Sequence, residues 1–187
     1  MPMIDEIYRS INGGSPAKYF AEKLSRNFEV ERIGSLAPDT RYLFLTRDPR
    51  DVLLSARAFD EKRGFRGFQE ADGDSDETVV AKYASVFGRL AAVSDSLHPY
   101  RIRYEDLIAD PAPTLTALFA SIGVSCEERM VQSCVQAARS AENGAHMTSA
   151  SPTASIARWR TEMSPALIEL FDQHIGDVLS RFDYPRS

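Results

Sequence analysis

Arg47 and Ser55 stand eight positions apart in the sequence, and an arginine fork joined by a serine hydroxyl is a pairing that holds phosphate oxygens. Between them the chain reads Asp48-Pro49-Arg50-Asp51-Val52-Leu53-Leu54. Pro49 pre-sets a first helical turn and Asp48 is placed to cap it, so Arg47 falls just before a helix. Ahead of Arg47, Tyr42 to Thr46 is a short continuous apolar run, the pattern of a strand buried on both faces. An arginine at the carboxyl end of a parallel strand sits where open α/β sheets bind ligands. The helix start beside it offers free N–H groups and a dipole that favour an anion. Residues 48, 51 and 55 recur at i, i+3 and i+7, which puts Ser55 on the helix face below Asp48. The same spacing also fits a structural Arg–Asp pair with an ordinary cap, and spacing alone leaves both readings open.

The elements that must position these residues follow from periodicity. Val79, Val80, Tyr83, Val86, Phe87, Leu90 and Leu97 recur at helical spacing until His98-Pro99 ends them. Asp74 and Glu77 before them have the spacing of a capping box. The alternating aspartates of 70–77 do not make a calcium loop, because Glu77 stands where the turn glycine should be. A second helix is predicted from Asp110-Pro111 to Gly123, with Leu115, Leu118, Phe119 and Ile122 apolar. A third follows Ser125 and Glu128, with Met130, Val131, Cys134, Val135 and Ala138 on one face, which makes Cys134 a small core residue. The last begins at Ser164-Pro165 and runs through Leu167, Phe171, Ile175 and Leu179. Tyr100 to Tyr104 and Lys18 to Glu22 complete the expected strands. Strands alternating with helices predict α/β architecture, a parallel sheet with helices on both faces.

Composition narrows the function. A chain of 187 residues has room for one ordinary domain, 1–187. Its net charge of −5 argues against broad nucleic-acid binding. No apolar run approaches the roughly 20 residues that span a bilayer. Two cysteines make no disulfide framework and no Cys/His cluster has zinc spacing. The expectation is a reduced, metal-free cytoplasmic protein without nucleic-acid or membrane partners.

The Arg47-Asp48-Pro49-Arg50-Asp51-Val52 to Ser55 segment resembles the 3′-phosphate-binding motif of sulfotransferases that use 3′-phosphoadenosine 5′-phosphosulfate. Tyr104-Glu105-Asp106-Leu107, with the helix after Asp110-Pro111, is similar to that family's Tyr-Glu-Asp-Leu segment. Ser155-Ile156-Ala157-Arg158-Trp159, the closing amphipathic helix and Phe182-Asp183-Tyr184 are similar to its C-terminal end. Glu22-Lys23-Leu24-Ser25 is like the Glu-Lys-x-Pro segment of bacterial and Golgi-type members, with Ser25 in place of proline. The likeness covers about residues 15 to 184.

This resemblance implies a P-loop NTPase-like, three-layer fold and sulfuryl transfer from the nucleotide to a hydroxyl or amine, without a metal. It implies that Arg47 and Ser55 bind the 3′-phosphate, with Tyr104, Ser155 and Arg158 in the segments that close over the nucleotide. Glu22 becomes the candidate base and Lys23 a neutralising group for the departing phosphate; a solvated pair is the competing account of both. Trp159 could stack on an adenine, but in the family it more often anchors the C-terminal segment in the core. The acceptor, a small molecule or glycan, would meet variable loops such as 64–74 and 143–152.

The family's opening Ser-Gly-Thr-Thr-type phosphosulfate loop has no counterpart here. Gly13-Gly14-Ser15-Pro16-Ala17-Lys18 reads as a turn whose proline deletes a needed N–H. The expected fold is therefore N-terminally incomplete, and three explanations stand: a truncated frame, a homo-oligomer or partner chain that completes the sheet, or a degenerate, catalytically inactive binding module. A P-loop kinase is disfavoured, since no Gly-Lys-Ser/Thr occurs.

Overall fold

The computed structural model describes residues 10, 19, 21–23, 39–65, 67, 70–138 and 147–187. The chain falls into two compact units, Met1–Tyr42 and Leu43–Ser187. Within the first, Tyr19 and residues 21–23 lie in irregular, exposed backbone. The strand expected over 18–22 is therefore not formed at the described positions 19, 21 and 22, and residues 18 and 20 lie outside the described residues. Three apolar residues in a row without alternation are a weak strand signal.

The second unit is α/β. Strand β1 (Leu43–Thr46) leads to helix α1 (Pro49–Arg63) and helix α2 (Asp76–Leu97), and the chain returns through β2 (Tyr100–Arg103). The two strands pair in parallel, Leu43 opposite Tyr100 and Thr46 opposite Arg103. Two intervening helices supply the long crossover that parallel pairing needs. Short helix α3 (Tyr104–Ala109) follows β2 directly, then α4 (Pro111–Ser121), α5 (Glu128–Ala138), α6 (Trp159–Glu162) and α7 (Pro165–Arg181).

Caps explain most of these boundaries. Asp48 caps α1 by accepting the Arg50 N–H, with Pro49 in the first turn, and Gly64 ends the helix at φ 76°. Ser164 caps α7 by accepting the Leu167 N–H. At α2 the cap is Ser75, not the expected Asp74. The Asp74 carboxylate is already taken by the Ala71 N–H and by Lys82, so the neighbouring hydroxyl closes the helix.

The core lies mainly between α2 and α7. Val79, Val80, Tyr83, Phe87 and Ala91 pack with Leu167, Phe171, Ile175 and Leu179, and Leu53, Trp159, Met163, Phe182 and Tyr184 join the same cluster. Tyr83 meets the Phe171 ring edge-on at 5.9 Å between centroids, a favoured aromatic geometry.

Two burial expectations fail. Leu43 and Leu45 in β1 are 44% and 61% exposed, so β1 is not buried on both faces. Among the described residues the sheet is the β1–β2 pair alone, and nothing there covers that face of β1. Cys134 is exposed too. Val131 and Val135 bury the inward stripe of α5, while Met130, next to them in sequence, is 46% exposed. Helical period was right, but the buried stripe is narrower than the apolar one.

Candidate functional site

The turn between β1 and α1 places Arg47. Its Nη2 donates to the Ser155 carbonyl at 2.8 Å, and its guanidinium carbon lies 4.7 Å from the centre of the Tyr104 ring. Its Nε is buried and has no hydrogen-bond partner among the described residues. A buried cationic N–H without an acceptor is costly, and it leaves a donor free for an anion.

Tyr104 opens α3 immediately after β2. Ser155, buried in a 3₁₀ turn at Thr153–Ser155, donates its hydroxyl to the Pro152 carbonyl at 2.5 Å. With that proton spent, the 3.0 Å contact between the Tyr104 hydroxyl and Ser155 Oγ has the tyrosine as donor. Ser55, half-buried on α1, pairs with the Thr148 hydroxyl at 2.8 Å. Arg158 holds Glu162 through Nε and Nη2 and reaches the Thr148 carbonyl with Nη1 at 3.3 Å. That hydrogen bond pulls the Glu162 carboxyl below its ordinary value.

Five predicted residues are thus tied together through one segment, 147–158. Arg47 meets Ser155, Tyr104 meets Ser155, and Ser55 and Arg158 both meet Thr148. Glu22 and Lys23 are exposed and belong to the first unit.

Sequence reasoning missed the residues that hold the segment down. Asp51, 1% exposed, accepts the Ala157 N–H with Oδ2 at 2.6 Å and the Trp159 N–H with Oδ1 at 3.0 Å. Burial pushes its carboxyl up, against the pull of those two N–H groups. Ala157 sits at φ 57°, a left-handed conformation that a non-glycine residue adopts at a cost and that this contact retains. Arg50 is fully buried, paired with both Asp48 oxygens, and its guanidinium carbon lies 3.6 Å from the Trp159 ring centre. Trp159 is a core anchor, as expected, with 5% exposure.

The helix start is capped by Asp48, as expected. The Arg50 N–H goes to Asp48 and the Asp48 N–H to Glu105. The chain's own carboxylates thus complement the α1 dipole. No group of three or more His, Cys, Asp or Glu among the described residues could hold a metal ion. No described helix is long and apolar enough to cross a membrane.

The described α/β unit thus places an arginine directly after a parallel strand and a hydroxyl on the helix that follows. The chain belongs to the sulfotransferase family, whose sequence profile matches residues 3–129. It is 25% identical over 171 residues to the omega-hydroxy-beta-dihydromenaquinone-9 sulfotransferases of Mycobacterium bovis and Mycobacterium tuberculosis. Those alignments cover 87% of this chain and 40% of each relative, so the chain spans well under half of their length. No solved structure matches it.

Proposed function

We propose that this chain binds 3′-phosphoadenosine 5′-phosphosulfate and transfers its sulfuryl group to a hydroxyl or amine of a small-molecule or glycan acceptor. The observation that carries the reading is the Arg47 guanidinium at the end of β1, with a buried Nε N–H that has no partner among the described residues. A 3′-phosphate oxygen is an acceptor of the charge and geometry that this donor lacks. Ser55 supplies a hydroxyl to the same anion; Tyr104, Ser155 and Arg158 shape and close its surroundings. The parallel β1–β2 pair is read as part of a three-layer, P-loop-type sheet, supported by its two-helix crossover.

In the reaction the acceptor oxygen or nitrogen forms a bond to sulfur as the bond from sulfur to the phosphate oxygen breaks. Glu22 takes the acceptor proton, and Lys23 offsets charge on the departing phosphate. A hydroxyl is the favoured acceptor, since the mycobacterial relatives are named for an omega-hydroxy substrate. A binding module without transfer is the second reading. It draws support from Arg47 Nη2 and Ser55, whose hydrogen bonds are already given to the 147–158 segment.

The test is a thermal-shift and calorimetric titration with 3′-phosphoadenosine 5′-phosphate, with AMP as control. Ligand at about 100 times Kd should add about 2.7 kcal/mol of stability. Arg47→Ala should remove roughly 1.5–3 kcal/mol of affinity. Equal shifts with AMP, or an unaffected Arg47→Ala variant, would end this assignment.

A further inference from the structure

Glu105 joins two segments that are remote in sequence. One of its carboxylate oxygens accepts the Asp48 N–H at 3.0 Å, and the other accepts the Tyr184 hydroxyl at 3.0 Å. Its side chain is 13% exposed, and a carboxylate is an acceptor-only group whose two oxygens suit two donors. Tyr184 is buried, its ring faces the Arg103 guanidinium carbon at 4.8 Å, and its hydroxyl also neighbours Thr46. The next residue is tied separately, because Arg50 Nη2 donates to the Pro185 carbonyl at 2.7 Å while the same guanidinium grips both Asp48 oxygens.

Asp48 is therefore held twice from the segment after α7. Glu105 carries the hold to its backbone N–H, and Arg50 carries it to its carboxylate. Asp48 directly follows Arg47, so these two anchors set the direction in which Arg47 leaves β1. Tyr104, beside Glu105, lays its ring against the Arg47 guanidinium.

We infer that the segment after α7, acting through Tyr184 and Pro185, is a strap that positions the Arg47 turn, with Glu105 and Arg50 as its positioning residues. The consequence for nucleotide binding rests on the function proposed above; the strap itself does not. Tyr184→Phe keeps the buried ring and removes one donor. Glu105→Ala removes both acceptors. Glu105→Gln restores both contacts, since its carbonyl can take the Asp48 N–H and its amide can donate to the Tyr184 oxygen.

Amide hydrogen exchange, read residue by residue by NMR on the full chain, tests this without any ligand. Exchange at Asp48 should accelerate about three- to tenfold in Tyr184→Phe and about ten- to a hundredfold in Glu105→Ala, with recovery in Glu105→Gln. Tyr83 and Phe171, in the α2–α7 core, should exchange as in the parent. An unchanged Asp48 rate in Tyr184→Phe, or equal acceleration at Asp48 and in the core, would overturn the strap. If Glu105→Ala does not fold, the Tyr184→Phe result decides alone. Titration with 3′-phosphoadenosine 5′-phosphate forms the second arm, in which Tyr184→Phe should weaken binding about threefold or more. Absence of binding by the parent chain would sink the donor-site reading, and the Asp48 exchange rate would still decide the strap.

Discussion

Replacing Asp51 by alanine probes the contact that fastens residues 147–158 to α1. The side chain is buried and its two oxygens each take one backbone N–H, from Ala157 and Trp159. Alanine supplies neither acceptor, and an unmade buried donor costs about 1–3 kcal/mol. Trp159 is buried, so its N–H bears the full penalty; Ala157 is half-buried, and water recovers part of the loss there. The sum is about 2–4 kcal/mol. Release of Ala157 from its left-handed conformation refunds some strain, which holds the figure near the lower half of that range. Asp51→Asn keeps one acceptor and should cost about half as much. Urea unfolding followed by fluorescence of Trp159 measures both, since the midpoint shifts with stability at constant slope. The pH dependence has a definite sign. A carboxyl whose folded pKa is raised binds more protons folded than unfolded, so its contribution falls as pH rises from the unfolded value, about 4, through the folded one. The parent should therefore gain stability relative to Asp51→Asn as pH is lowered from 7 towards 4. A loss below about 0.5 kcal/mol in Asp51→Ala, or a pH trend of the opposite sign, would refute the reasoning.

Other expectations follow from the same structure. Glu22→Gln should slow sulfuryl transfer by about 10²–10⁴-fold with little change in nucleotide affinity; normal turnover would remove Glu22 from the mechanism. Phe171→Ala, at a fully buried position in the α2–α7 core, should cost about 3–5 kcal/mol in urea unfolding. Leu45→Lys should change stability by no more than about 0.5 kcal/mol, because the side chain is 61% exposed. A loss of several kcal/mol there would mean that β1 is covered on that face after all.

What could be read in the sequence was what depends on neighbours along the chain. Asp48-Pro49, Ser164-Pro165 and the His98-Pro99 stop are local chemistry, and each helix edge stands where they put it. Even there a competing local partner shifts the outcome by one residue, as Lys82 and the Ala71 N–H do by occupying Asp74. Burial is another matter. Leu43 and Leu45 have the composition of a sandwiched strand, but whether a strand is sandwiched depends on what packs over the sheet, and a four-residue run carries no record of that. Cys134 fails for a related reason: one helical turn determines direction, not how wide a neighbour the face will meet.

The residues that organise the site were hidden for the opposite reason. A charged side chain in the first turn of a helix reads as solvated, since burying an arginine is unfavourable unless it is paired. Arg50 is paired, yet its partners include an aspartate two residues away, a carbonyl at Pro185 and the ring of Trp159. Asp51 likewise looks like an ordinary acidic residue near a helix start, and its partners lie more than a hundred positions on. The Arg-Asp-Pro-Arg-Asp run thus divides its labour. Arg47 keeps a donor without a partner among the described residues, Asp48 caps, Arg50 grips the segment after α7, and Asp51 fastens the segment that meets Arg47 and Ser55. Among the described residues each arginine of the run keeps one buried N–H without a hydrogen-bond partner, Arg47 Nε and Arg50 Nη1, while the remaining contacts of Asp48, Arg50 and Asp51 hold the surroundings of Arg47 in place.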